Sequence, residues 1–247
     1  MNNAVLAFTL SSLAGISTTA GFFIVFFSRK ENKTLLVAGL TFAASVMFFL
    51  SILDLIPESI KFLTESYKII PTFLISFIGL SFGVCLSITI DKFFPNNFDN
   101  KELYKLGLIT MIGIMIHNIP EGIATFITTN EDIKLGISIT IAIAMHNIPE
   151  GISIALPIYY YTKSKRKAFL YTMICAISEP LGAVLAFLFF KATNMTLGII
   201  YSIVAGIMIY ISMYELLPAS KQYKRYKITY LFYIFGFILV LINIFLF

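Results

Sequence analysis

The chain has 247 residues, of which 58% are hydrophobic and 13% charged, with mean hydropathy +0.89. A soluble domain of this length is nearer half apolar and a quarter charged, so a water-soluble globule is excluded, and the recurring runs of about 20 apolar residues mark transmembrane helices. The net charge of +5 sits in short segments between those runs and makes no case for a nucleic-acid partner.

The opening Met1-Asn2-Asn3-Ala4 lacks the positive leading region of a cleavable signal, so the apolar run that follows reads as the first span. Eight spans can be placed, at roughly 4–28, 34–57, 71–91, 105–129, 133–161, 167–190, 196–217 and 228–247. This is an all-α integral membrane protein read as one domain over 1–247. The fifth span is longer than a bilayer requires and is expected to tilt or project. Cys85 and Cys175 fall within spans and read as packed thiols; Cys175 lies four residues before Glu179, which leaves a minor role near that carboxylate open.

Orientation follows from Lys and Arg. Arg29, Lys30 and Lys33 follow span 1; Lys92, Lys101 and Lys105 follow span 3; Lys163, Lys165, Arg166 and Lys167 follow span 5; Lys221, Lys224, Arg225 and Lys227 follow span 7. Only Lys61, Lys68, Lys134 and Lys191 fall on the other side. The bias places the first set in the cytoplasm and both termini outside. The longest polar segment, about 92–102, reads as an ordinary loop.

The organising motif is written twice. His117-Asn118-Ile119-Pro120-Glu121-Gly122 on span 4 reappears as His146-Asn147-Ile148-Pro149-Glu150-Gly151 on span 5, and the two copies hold both histidines of the chain. Histidine and glutamate four apart point the same way from a helix. His117 lies about 18 Å of helix beyond Lys105, near the middle of a core about 30 Å thick. Two antiparallel helices meeting there would gather two imidazoles, two carboxylates and two amides. A weaker symmetry relates Ser51-Ile52-Leu53-Asp54-Leu55-Ile56-Pro57 of span 2 to Ser212-Met213-Tyr214-Glu215-Leu216-Leu217-Pro218 of span 7. Those spans run in opposite directions, which predicts an inverted repeat, spans 1–3 against 6–8, around the central pair 4–5.

Acidic residues inside a bilayer are costly and face a bundle interior or a wet cavity. Asp54, Glu58, Glu121, Glu150, Glu179 and Glu215 fall within or near the ends of spans, with Glu121, Glu150 and Glu179 deepest. Three neighbouring carboxylates in low dielectric cannot all stay ionised without cations, and divalent ions supply the missing charge. Pro120, Pro149 and Pro180 free the carbonyls of Ile116, Met145 and Ala176, an arrangement expected where backbone lines a hydrated path. Gly122 and Gly151 permit close helix approach. Imidazole with carboxylate and amide oxygen suits zinc, Fe(II), manganese or cobalt, whereas an all-oxygen cage would favour calcium or magnesium.

At this motif the chain resembles the ZIP family of divalent metal transporters, most closely its bacterial ZupT-type branch, over essentially all eight spans. The resemblance implies a binuclear site. One metal would be held by His117, Glu121, His146 and Glu150, and its neighbour by Asn118, Asn147 and Glu179, with Glu121 and Glu150 bridging. Glu179, in Ser178-Glu179-Pro180, falls where the family's sixth span supplies a carboxylate. Asp54 and Glu58 would lie toward an outer entrance, and Asp91 and Glu215 toward a cytoplasmic exit. It further implies a plasma (inner) membrane importer with no resident cofactor, for which zinc, iron, manganese, cobalt or cadmium is cargo, a homodimer, and transport by one helix bundle sliding against another. The chain departs from the family pattern in two places. The loop between spans 3 and 4 has no histidine cluster, and span 7 reads Tyr214-Glu215 and Pro218-Ala219 where many relatives carry His-Glu and Pro-Glu, which weakens the case for a strong exit site. An intramembrane metalloenzyme would be marked by His-Glu-x-x-His on one helix; no such motif occurs, and the chain is read as no enzyme. A metal-selective channel of the same fold stays open as the alternative.

Overall fold

The computed structural model describes residues 3–28, 32–93, 102–189 and 193–246. Arg29, Lys30, Lys101, Lys191 and residues 94–101 of the expected 92–102 loop lie outside the described residues. Among the described residues, 8 helical segments are long and apolar enough to cross a membrane: span 1 Asn3–Phe27, span 2 Lys33–Thr64, span 3 Ile69–Phe93, span 4 Glu102–Glu131, span 5 Ile133–Thr162, span 6 Lys165–Leu188, span 7 Asn194–Lys221 and span 8 Tyr226–Leu246.

The eight expected spans are all present, with two extensions. Span 2 runs past Pro57 and span 7 past Pro218, because each proline falls in the first turn of an α-helix that restarts after a π-helical turn, Ser51–Leu55 and Ile211–Leu216 respectively. A proline there forfeits no essential helix hydrogen bond, and the π turn absorbs one extra residue without ending the rod. The two turns coincide with the short sequence match between spans 2 and 7.

Spans 4 and 5 pack against each other at the centre. Span 4 lies on span 6 and span 5 on span 1, while span 3 lies on span 7 and span 8 on span 2. Exchanging 1 with 6, 2 with 7, 3 with 8 and 4 with 5 leaves this pattern unchanged, which is the inverted repeat seen as packing. Spans 3 and 8 are the least buried and form the periphery. Cys175 is buried as expected, but Cys85 is exposed on peripheral span 3 and is not a packing thiol.

Apolar side chains gain little by leaving lipid for one another, so close van der Waals contact holds such a bundle together. Within the set 1, 4, 5 and 6, backbones touch: a Cβ on Gly122 would collide with the carbonyl of Glu179, and one on Gly151 with the carbonyl of Thr18. At two points where this set meets spans 2 and 7 a glycine faces side chains instead: Gly39 faces Leu156 and Ile152, and Gly113 faces Ile211.

Candidate metal centre

The first and second motif copies meet as their spacing requires. Spans 4 and 5 continue as α-helix through Pro120 and Pro149, so His117 and Glu121 share one face of span 4, and His146 and Glu150 one face of span 5. The His146 Nε2 lies 2.8 Å from Glu121 Oε1, and the His117 Nε2 lies 3.0 Å from the same oxygen and 3.3 Å from Glu150 Oε1. The imidazole centroids are 6.3 Å apart. Ligand atoms of His117, Glu121 and His146 all lie within 4.8 Å of one another.

These groups are taken out of water almost completely, with exposures of 1% for His117, 6% for Glu121, 5% for His146 and 0% for Glu150. Buried polar atoms normally find a partner. Here Glu121 Oε2, both oxygens of Glu150 and Nδ1 of both histidines have no hydrogen-bond partner among the described residues. The two contacts of His117 Nε2 are short but lack hydrogen-bond alignment. His146 Nε2 and Glu121 Oε1 share a hydrogen bond, while the remaining acceptors crowd together without one, and this set of imidazole and carboxylate ligands suits a borderline divalent cation.

One residue beyond His146 on span 5, the side chain turns toward spans 1 and 6. Asn147 Nδ2 donates to Glu179 Oε2 at 2.8 Å and to the Ala14 carbonyl of span 1 at 2.9 Å. Ser11 Oγ, also on span 1, donates to the Glu179 carbonyl at 3.2 Å. Asn147 Oδ1 and Glu179 Oε1 remain as unpartnered buried acceptors. Asn118 is fully buried, yet neither atom of its amide has a hydrogen-bond partner among the described residues. Of the seven residues expected at the centre, the structure therefore joins His117, Glu121, His146 and Glu150 in one cluster and Asn147 with Glu179 in a second, and makes no hydrogen bond to Asn118. The carbonyl freed by Pro180, that of Ala176, packs against Gly15 of span 1, so this carbonyl serves helix contact where a hydrated path was expected.

The four peripheral acids fall at two ends of the bundle. Asp54 is close enough to His146, Glu121 and Glu58 to interact electrostatically with each. Glu58 lies further out and pairs with Lys61 at 2.8 Å. At the opposite end Asp91 pairs with Lys105 of span 4 at 2.7 Å, and Glu215 interacts with both. Sequence reasoning treated Lys105 only as a topological charge and did not single out Ser11, Ala14 or Thr18. Span 1 carries no motif, and its only signal is that one constant offset in residue number relates Thr18 to Glu179, Gly21 to Gly182, Asp54 to Glu215 and Pro57 to Pro218.

A family model described as "ZIP Zinc transporter" matches residues 96–243. Among curated proteins, one named "Zinc transporter ZupT" from Clostridium perfringens is 36% identical over 278 aligned positions, covering 100% of this chain and 98% of that protein. A protein of the same name from Streptococcus mutans is 38% identical, with 98% and 97% covered, and another from Oceanobacillus iheyensis is 39% identical, with 91% of each covered.

Proposed function

This chain belongs to the ZIP zinc transporter family, a family of transporters and not of enzymes, and on that premise we propose that it is a single-domain, multi-pass importer of zinc and related divalent ions. The observation that carries the reading is the buried convergence of His117, Glu121, His146 and Glu150 halfway along two antiparallel spans, with unpartnered acceptors aimed among them. The metal is cargo: it enters from the side of Glu58 and Asp54, exchanges water for this cage, and leaves on the side of Asp91 and Glu215. Asn118, Asn147 and Glu179 provide the adjoining position of a binuclear site, with Glu121 and Glu150 between the two ions. The excess of Lys and Arg after odd-numbered spans orients the chain with both termini outside, in the plasma membrane.

The burial of the cage supports a carrier over an open pore, since a cation held among groups 0–6% exposed needs a rearrangement to escape. The side-chain contacts at Gly39 and Gly113, where spans 1, 4, 5 and 6 meet spans 2 and 7, are compatible with a movement of the first set against the others by sliding of packed helices. Uptake of zinc into proteoliposomes tests the assignment. Glu121→Ala and Glu150→Ala each abolish uptake while protein yield and monodispersity are kept, and His117→Ala weakens uptake or changes ion preference. Undiminished flux in both glutamate variants overturns the site.

A further inference from the structure

The cytoplasmic end of the bundle carries a cation that the metal-site reading leaves unused. Lys105 Nζ of span 4 lies 2.7 Å from Asp91 Oδ1 of span 3. The two side chains are 17% and 27% exposed, and that carboxylate oxygen is itself buried, so solvent screens the pair less than it screens an open surface pair. The packing of spans 3 and 7 brings Glu215 to the same level. These spans run parallel: a Cβ on Gly79 would meet Ser202, one on Gly83 the Ile203 carbonyl, and one on Gly206 the Leu80 carbonyl. Asp91 comes about two turns beyond Gly83, and Glu215 about two turns beyond Gly206. Span 4 meets the π-helical turn that holds Glu215, where Gly113 faces Ile211. Asp91 and Glu215 thus lie level on spans 3 and 7, and span 4, from the other helix set, sends an ammonium to one of them. The outer end is built differently. Glu58 pairs with Lys61 of its own helix, and that lysine side chain is 67% exposed. A solvated pair within one helix is worth little and yields its carboxylate to an arriving divalent ion.

We propose that Lys105 is a tethered competitor at the exit: its ammonium occupies Asp91, so that the level of Asp91 and Glu215 passes a divalent cation on to the cytoplasm without retaining it. Two carboxylates at one level, partly withdrawn from water and with no cation beside them, would hold a metal ion and delay its release. The ammonium takes up one of the two ligands and repels a dication that approaches the other. The exit sequence acts in the same direction, since Tyr214 and Ala219 offer no strong zinc ligand to complete a site.

The inference rests on the metal-site reading above, and the experiment separates the two. Zinc binding at equilibrium in detergent and initial rates of zinc uptake into proteoliposomes are measured for the full-length chain and its variants. Lys105→Gln and Lys105→Met remove the charge and keep most of the side chain's length, and one folded variant of the two suffices. Each binds roughly one zinc equivalent more per chain than the parent, because Asp91 and Glu215 are then free to hold it. Each lowers the maximal rate about fivefold and keeps KM for zinc within about twofold, as the loss of one partly buried charge pair allows. Lys105→Arg keeps a cation against Asp91 and matches the parent in zinc bound and in rate. Asp91→Asn added to Lys105→Gln removes the extra zinc. A merely structural ion pair would alter neither the zinc bound nor its dependence on Asp91. If the charge-removing variants bind no more zinc than the parent, keep the extra zinc without the Asp91 carboxylate, or turn over at the parent rate, while Glu121→Ala is inactive, this inference falls alone. If Glu121→Ala transports normally, the metal-site reading falls and takes this inference with it.

Discussion

The two hexapeptides are identical in sequence and unlike in surroundings. The first copy lies against span 6, where the Glu179 carbonyl touches Gly122; the second lies against span 1, where the Thr18 carbonyl touches Gly151 in the same way. The inverted repeat thus maps Glu179 onto Thr18. The backbone contact is conserved across the pseudo-twofold, and the side chain is not: one half presents a carboxylate, the other a buried hydroxyl with no hydrogen-bond partner among the described residues. The consequence reaches the motif itself. Asn147 is held by Glu179 and by the Ala14 carbonyl, whereas the Asn118 amide makes no hydrogen bond among the described residues. Glu121 is approached by both imidazoles and Glu150 by one. Identical letters acquire different duties because the flanking helices differ, so a site on the pseudo-axis need not be symmetric.

The comparison breaks most sharply at its unequal pair. Glu179→Ala lowers zinc uptake more than tenfold, while Thr18→Val, the matching truncation on the other half, leaves zinc uptake within about twofold; equal losses would mean that both flanking helices serve the metal alike. A middle-sized effect probes what the halves share. Gly122→Ala and Gly151→Ala each push a methyl into a backbone carbonyl that cannot yield as a side chain would, and each costs about 2–3 kcal/mol of stability, read as a matched fall in thermal unfolding temperature in detergent. A large difference between the two would place the pseudo-twofold contact in doubt. The smallest effect separates the asparagines. Asn147→Ala removes hydrogen bonds to Glu179 and Ala14 and costs about 1–2 kcal/mol in metal-free protein. Asn118→Ala removes none and leaves metal-free unfolding unchanged, while lowering zinc affinity measured by calorimetry.

Much of the fold was legible because lipid simplifies the code. Length, apolarity and flanking charge suffice to mark a span, and a hexapeptide repeated on adjacent antiparallel spans sets the centre with little ambiguity. The misjudged boundaries of spans 2 and 7 have a local cause: Pro57 and Pro218 read as helix ends, but each begins a fresh α-helical turn after a π turn, which no residue pattern announces. The contributions of Ser11, Ala14 and Thr18 were hidden for another reason. Two of these three act through main-chain carbonyls and the third through an ordinary membrane-helix hydroxyl, and a carbonyl has no letter of its own. Cys85 was misread because an apolar run does not reveal which of its faces meets lipid.

The π turn in span 2 carries an implication for how such a chain tolerates change. It holds one more residue than an α-helix of the same rise would need. Deleting a single residue from Ser51–Leu55 would let the rod close up into regular winding, with hardly any loss of length or greasiness. Everything distal to the cut would then keep nearly its present azimuth, because a turn closed with one residue fewer still completes about one revolution, and Ser59 would stay against Gly198. Hydropathy would register no difference between the parent and the shortened chain, and the outward half of the rod would present the same side to its neighbours; what the shortened chain would lose is the wide turn that carries Asp54.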